Sequence, residues 1–372
     1  MKLKLLAVAV AAAITTPAAF AETEVSTKAG SGMTVKTGDT SINIGGRIQL
    51  DADWFDGDAY SGSDDSGSDT EVRRARLFAK GKIGKNWEAK IRANFKSGKT
   101  DVDEAWVKFK GWDFADLTIG THKANFGLEQ QTSSKDITAI ERTMATNAFA
   151  IGNEMGIALG KGNNDYTWGV GVYDLGDEGD HVATGITGRL TFSPINTKEE
   201  VLHLGVGFNK QRVEGDEWGV SERLEVHTAD YKFKTDFATQ SVEIFNVEAA
   251  YAIGSFHAQA EYFDASTDNG DASGYYAQLG YILTGESRPY SKGKFKRVKP
   301  KGKDGAWELM YRYSTLDTTN GLVFGDEAKA HTFGVNYYAN NAIRVGLNYV
   351  TSDVKRADLD GDAIAVRVQY VF

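Results

Sequence analysis

The chain has no cysteine, which excludes a disulfide scaffold, a thiolate zinc site and cysteine catalysis in any redox compartment. It has four prolines, Pro17, Pro194, Pro289 and Pro300, so little interrupts long hydrogen-bonded strands. Past residue 21 no apolar run approaches the roughly 18 residues a membrane helix needs, and spanning by helices is excluded. Basic residues are outnumbered, 42 against 51, for a net charge of −9. This acidity argues against a nucleic-acid partner and means that any anion chemistry must come from local arrangement. Six histidines are scattered at positions 122, 181, 203, 227, 257 and 331, none in a motif joining a nucleophile to a base. What the chain does have is 41 glycines, 16 tyrosines and 19 phenylalanines, a composition too ordered for a disordered polymer.

The amino end reads as a secretory signal over residues 1–21. Lys2 and Lys4 supply its positive region, Leu5 to Ile14 its apolar stretch, and Ala19-Phe20-Ala21 a small-x-small cleavage pattern. A transmembrane anchor is the bland alternative, but the apolar part is too short. Residues 22–40 are expected to form an N-terminal periplasmic segment and 41–372 the main domain.

That domain alternates. Ile42, Ile44, Ile48, Leu50, Ala52 and Trp54 share one parity while Asn43, Arg47, Gln49, Asp51 and Asp53 share the other, as a strand with one apolar and one polar face requires. Ile343, Val345, Leu347 and Tyr349 oppose Arg344, Gly346 and Asn348 in the same way. Strands are expected near 41–55, 72–83, 87–96, 102–110, 115–122, 154–161, 165–174, 182–193, 200–212, 242–253, 255–264, 274–284, 305–315, 329–339, 341–352 and 363–372. Tight turns such as Gly84-Lys85-Asn86 and Gly162-Asn163-Asn164 alternate with the longer connections 56–71, 123–153, 213–241, 316–328 and 353–362. The turn 285–304 breaks this rhythm, being long and basic. Short turns on one rim, long loops on the other and aromatic residues near strand ends point to an all-β fold, a 16-stranded antiparallel transmembrane β-barrel. A soluble β-sandwich or propeller is the competing reading, since its strands alternate too.

If the apolar parity faces lipid, the lumen receives Arg47, Arg74, Arg76, Lys80, Lys82, Lys90, Arg92, Arg189, Arg312, Arg344 and Arg367. With them come the acids Asp51, Glu88, Glu104, Glu248, Glu261 and Glu308. A narrow wet tube rich in guanidinium concentrates anions, because low-dielectric walls focus the field. The alternative is that these cations merely pair with the acids and stiffen the wall. Arg73 carries the lipid-facing parity, so it must lie at a strand end or a bulge. Loop 123–153 reads as helical around Asp136–Met144, and it would set the constriction if it turned inward.

Several motifs carry a resemblance. Ile44-Gly45-Gly46-Arg47, Arg73-Arg74-Ala75-Arg76, Asp103-Glu104-Ala105, Phe126-Gly127-Leu128-Glu129, Thr132-Ser133-Ser134-Lys135, Ile137 to Arg142 and the closing Val368-Gln369-Tyr370-Val371-Phe372 resemble the phosphate-selective porin O and P family. The resemblance implies a trimeric outer-membrane channel with an inward-folded third extracellular loop and a ladder of arginines leading to an anion site. It implies Arg47, Arg73 and Arg74 as central arginines, Asp103 as the acid beside them, and Ser133 and Ser134 as hydroxyl donors. Arg142 and Arg189 match basic positions near the path. Two residues depart from the pattern: Gln130 and Glu88 stand where phosphate-binding members carry lysine. Lys123 and Lys135 are the candidate replacements, and loop 213–241 has few arginines.

The expected function is passive diffusion of small anions, foremost inorganic phosphate, across the bacterial outer membrane without cofactor or metal. Expected partners are outer-membrane lipid, lipopolysaccharide and two further copies of the chain. A general diffusion porin with weak anion preference is the alternative; an outer-membrane barrel enzyme is the rival from another class. Asp358 to Asp362 imitates a calcium loop but has Ala363 and Gln369 where Gly and Glu are needed.

Overall fold

A backbone amide inside a bilayer has no water to bond, so each membrane strand needs a hydrogen-bonded neighbour on both sides. The computed structural model describes residues 23–62, 66–96, 100–176, 183–213, 217–321 and 325–372. An N-terminal hairpin, β1 (Thr23–Lys28) and β2 (Gly32–Thr37), precedes the wall strands. These are β3 (Thr40–Asp56), β4 (Gly67–Ile83), β5 (Trp87–Asn94), β6 (Asp101–Phe109), β7 (Asp116–Lys123), β8 (Asn153–Gly162), β9 (Tyr166–Asp174), β10 (Thr184–Asn196) and β11 (Glu200–Arg212). After a second hairpin, β12 (Glu217–Glu222) and β13 (Phe233–Ala238), come β14 (Ser241–Ile253), β15 (Phe256–Thr267), β16 (Gly270–Ile282), β17 (Ala306–Asn320), β18 (Glu327–Tyr338), β19 (Ile343–Val354) and β20 (Leu359–Val371). Neighbouring wall strands pair antiparallel, and β20 meets β3 from Asp362–Asp56 to Val371–Arg47. Among the described residues, then, sixteen strands form a closed ring.

The alternation in the sequence is the wall's two faces. Along β19, Ile343, Val345, Leu347 and Tyr349 are exposed outward, whereas Arg344 and Asn348 are buried inside. Aromatic pairs mark the rim of short turns, with Trp87 and Phe109 rings 4.8 Å apart and Trp307 and Tyr337 4.6 Å apart, as an interfacial girdle requires.

Three features differ from the sequence expectation. β4 begins at Gly67 rather than near 72, and β17 runs to Asn320 rather than 315. Their ends carry polar residues on both faces, which erases the alternation that marks a strand. Segment 213–241 contains β12 and β13. Trp218, Val220, Phe233 and Phe237 of that hairpin pack with Phe149, Val242, Ile244 and Leu316 in an apolar core at the long-loop end. Tyr60 of the short helix α1 (Asp58–Ser61) belongs to the same core. Finally, the helix expected over 136–144 is absent. Instead α2 (Leu128–Gln131) and α3 (Met144–Phe149) flank that stretch, whose carbonyls accept hydrogen bonds from wall side chains rather than from amides one turn on.

The N-terminal hairpin takes over the edge of β3 where β20 stops. Phe372 and Gly46 exchange backbone hydrogen bonds of 2.7 and 3.1 Å, and beyond that point β2 pairs with β3 from Met33–Ile44 to Thr37–Thr40. The hairpin tip needs glycine. Gly30 has φ 73°, and a Cβ there would lie 2.0 Å from the Asn341 carbonyl oxygen.

Val206, the central residue of β11, is exposed on the apolar face. Val206→Arg is expected to destabilise the barrel by about 2–4 kcal/mol, the cost of a cation at the bilayer midplane. Urea-dependent folding into lipid vesicles measures this, and an unchanged midpoint would place that face away from lipid.

Candidate functional site

Two β-bulges shape the interior. Gln49 pairs with Arg74 and Leu50 with Val72, so Arg73 is the extra residue on β4. Across the next hairpin Arg92 pairs with Glu104 and Ala93 with Val102, leaving Asp103 as the extra residue on β6. A bulge re-aims a side chain against the alternation of its strand. This one brings Arg73 alongside Arg74 despite its outward parity.

The interior charges then form two groups. In the first, the Glu141 carboxylate accepts from Arg73 Nε and Nη2 at 2.8 and 3.0 Å and from Arg367 Nη2 at 2.6 Å. Arg74 Nη1 lies 3.6 Å away, and Arg367 also donates to Asp51 at 2.7 Å. Burial pushes the Glu141 carboxyl up, but Arg73, Arg74 and Arg367 outweigh it and hold the group well below the usual carboxylate range.

In the second group, Arg47 Nη1 donates to Ser133 Oγ at 3.1 Å. Arg76, Arg92, Arg142 and the carboxylate of Asp103 act on Arg47, and Arg74 of the first group, Lys90 and Lys135 are near enough to interact with it as well. Asp103 is already shared between Arg92 Nε at 2.5 Å and Arg76 Nη2 at 2.8 Å. Arg142 donates to the carbonyls of Glu129 and Thr132 at 3.2 and 2.8 Å, and Lys123 Nζ to that of Gln130 at 2.5 Å. Ser134 Oγ is buried with no protein hydrogen-bond partner.

The structure therefore brings together Arg47, Arg76, Asp103, Lys123, Ser133 and Arg142, and groups Arg73 and Arg74 separately around Glu141. Asp103 lies beside Arg76 and Arg92 rather than beside Arg73 and Arg74. Gln130 points its amide at the Ile151 carbonyl, 3.0 Å away, and Glu88 pairs with Lys80 and Lys110 at 3.0 and 3.4 Å near the short-turn rim. Arg189 stands apart, donating to Glu248 at 2.7 Å and to Gly293 O at 2.9 Å. Glu141 and Glu129 were not singled out from sequence, and Arg367 was read there only as one of the lumen-facing cations. Glu141 directly precedes Arg142 in a motif read for its arginine, and Arg367 has inward parity; neither signal reveals a pair formed across the barrel.

Interior side chains hold segment 124–152. Glu261 accepts the amides of Leu128 and Glu129 at 2.6 and 2.8 Å. Glu129 accepts Thr143 N at 3.0 Å. Arg344 donates to Ile137 O at 2.6 Å, Arg312 to Glu141 O at 3.0 Å, and Asn348 accepts Ile140 N at 2.7 Å. The basic segment 283–305 approaches from the other rim. Arg288 donates to Gln259 at 2.9 Å, the Tyr290 hydroxyl bonds His203 Nδ1 at 2.6 Å, and Phe295 packs against Leu128. A cavity of about 340 Å³ borders Arg73, Glu141, Glu222 and Arg223, and another of about 320 Å³ borders Glu104, Lys108, Lys123 and Lys294.

The sequence profile of the family described as Phosphate-selective porin O and P matches residues 42–372. Porin O of Pseudomonas aeruginosa is 31% identical over 95% of this chain and 93% of its own. The chain belongs to the phosphate-selective porin O and P family. Its fold is shared with an anion-selective porin from Comamonas acidovorans, at TM-score 0.57 and 13% identity over 90% of this chain and 100% of that one. Salmonella typhi OmpF scores 0.62 at 13% identity over 91% and 100%, and the trimer form of Vibrio cholerae OmpT 0.57 at 13% over 90% and 99%. The protein is an outer-membrane porin, a channel rather than an enzyme.

Three ionisable groups on the porin's connecting segments titrate near neutrality. Burial, aided by Lys296 and Arg189, pulls Lys294 down to about 7. Burial lowers Lys135 to about 8 against the opposing pull of Asp136, and burial raises Glu222 to about 7 against Lys232 and Arg223. As pH rises from about 6 to 9, two positive charges are lost and one negative charge appears. The anion-over-cation permeability ratio is expected to fall over that range, read from the reversal potential in a potassium chloride gradient. A ratio that is flat or rises with pH would remove these groups from the ion path.

Proposed function

We propose that this porin conducts small anions and holds inorganic phosphate transiently at the cluster of Arg47 and Arg142, with Ser133 and Ser134 as hydroxyl partners and Lys123 and Lys135 nearby. The observation that carries this reading is the charge imbalance around Arg47. Four guanidinium groups, Lys90 and Lys123 gather there, while Asp103 is shared by Arg76 and Arg92, Glu104 by Lys90 and Arg92, and Glu129 and Glu141 act on Arg142, so cations outnumber acids. Guanidinium presents planar forked donors that fit phosphate oxygens. In a low-dielectric tube such a cluster recruits anions from solution. Loop 124–152, turned inward and tied to the wall, is the constriction in this reading. It supplies Ser133, Ser134 and Arg142 from one side while the wall supplies Arg47, Arg76 and Arg92 from the other. Binding must recruit the ion yet release it, so several moderate partners suit conduction better than one deep well.

The apolar belt is read as the contact with outer-membrane lipid and lipopolysaccharide, and the functional unit as a homotrimer, the form named for Vibrio cholerae OmpT. Membership of the phosphate-selective family and the shared fold of the anion-selective Comamonas porin support the anionic substrate. A general diffusion porin is the second reading. Gln130 favours it, because its neutral amide is turned to Ile151 where a lysine would add charge.

Chloride conductance in planar bilayers with added phosphate separates the two. Low phosphate is expected to block the chloride current, and Arg47→Ala to raise the half-blocking concentration by about tenfold or more, the worth of a charge-assisted hydrogen bond. Current indifferent to phosphate in the unaltered protein would favour the general pore.

A further inference from the structure

Three interior guanidinium groups already have an anion. Glu141 meets Arg73 side-on through both oxygens, at 2.8 and 3.0 Å, and takes a third donor from Arg367 at 2.6 Å, with Arg74 3.6 Å away. This is how a free oxyanion would sit among arginines. The carboxylate is tethered, however. Arg312 holds the Glu141 carbonyl at 3.0 Å and Arg367 holds that of Ile140, so it remains beside the trio at high effective concentration. Arg73 and Glu141 both border the cavity of about 340 Å³ at the long-loop end, so the position of the carboxylate lies within reach of solution ions, with Arg74 and Arg367 buried behind it. Arg47, by contrast, hydrogen-bonds a serine and shares its acid with two other arginines.

We propose that Glu141 is a built-in counter-anion that occupies a second oxyanion site, formed by Arg73, Arg74 and Arg367, and so confines the permeating anion to the cluster around Arg47. Glu141 is then a specificity-determining residue: it sets how many anion wells the pore offers and how strongly ions are retained. The physical reason lies in what its removal leaves. Asp51 balances part of Arg367 and Glu71, 3.8 Å from Arg73 Nε, part of Arg73, but the buried Arg74 would lose the carboxylate nearest to it, which is costly. A small oxyanion from solution relieves that cost by displacing a neutral side chain from that position. The inference rests on the anion-porin reading above and concerns a different set of arginines.

The test is Glu141→Gln in the full-length porin, in planar bilayers, with inorganic phosphate as the probe. Glutamine keeps the size and removes the charge. The half-blocking phosphate concentration is expected to fall by about tenfold, and the reversal potential in a potassium chloride gradient to shift toward stronger anion preference. In the Arg47→Ala background, Glu141→Gln is expected to restore phosphate block that Arg47→Ala alone loses. Glu141→Asp, which keeps the charge but withdraws it from the Arg73 fork, is expected to shift block in the same direction by less, and it serves if the glutamine variant does not assemble. Phosphate block in the unaltered protein that Glu141→Gln and Glu141→Asp leave unchanged or weaken overturns the inference while the proposed function stands. Block absent from the unaltered protein but present in Glu141→Gln overturns the proposed site at Arg47 and supports the inference.

Discussion

Everything in this molecule follows from the bilayer's refusal to hydrogen-bond a backbone. Strands must be paired on both edges, so the sheet closes, and closure separates two environments across every strand. Apolar side chains face lipid and polar ones face inward, an arrangement opposite to that of a soluble domain. The porin therefore buries Arg47, Arg74, Arg312, Arg344 and Arg367 inside its wall, where isolated charge is expensive and must find partners.

How those partners are distributed decides the chemistry. Some arginines are spent on structure: Arg344 and Arg312 hold loop carbonyls, and Arg189 binds Glu248 and segment 283–305. Others are neutralised, as Arg73 and Arg367 are by Glu141. Those around Arg47 are left in excess. The same loop contributes both the neutralising Glu141 and Arg142, adjacent residues whose side chains join different groups, Arg142 donating to the carbonyls of Glu129 and Thr132.

Much of the wall was legible in the sequence because a strand's two faces leave a period of two. Even the bulge was foreshadowed, since Arg73 had a parity that a buried cation could not keep within a regular strand. The loops were less legible. Ile137 to Glu141 have no helix because their carbonyls are engaged by Arg344, Arg367 and Arg312, residues some two hundred positions later or more than one hundred and seventy. The hairpin β12–β13 did carry alternation in Trp218, Val220, Phe233 and Phe237, but over strands of six residues inside a polar loop. Motifs indicated Arg47, Arg142 and the serines; they did not tell which arginines would be compensated, because Glu141 meets Arg367 only after the barrel closes.

The central claim is that fixed positive charge around Arg47 exceeds the acids beside it and is open to a passing anion. Anomalous diffraction from crystals of the porin soaked in arsenate, a heavier tetrahedral analogue of phosphate, locates that anion directly. The account predicts a peak among Arg47, Arg142 and Ser133. An interior with no peak at these residues, while arsenate is found elsewhere along the tube, would contradict it.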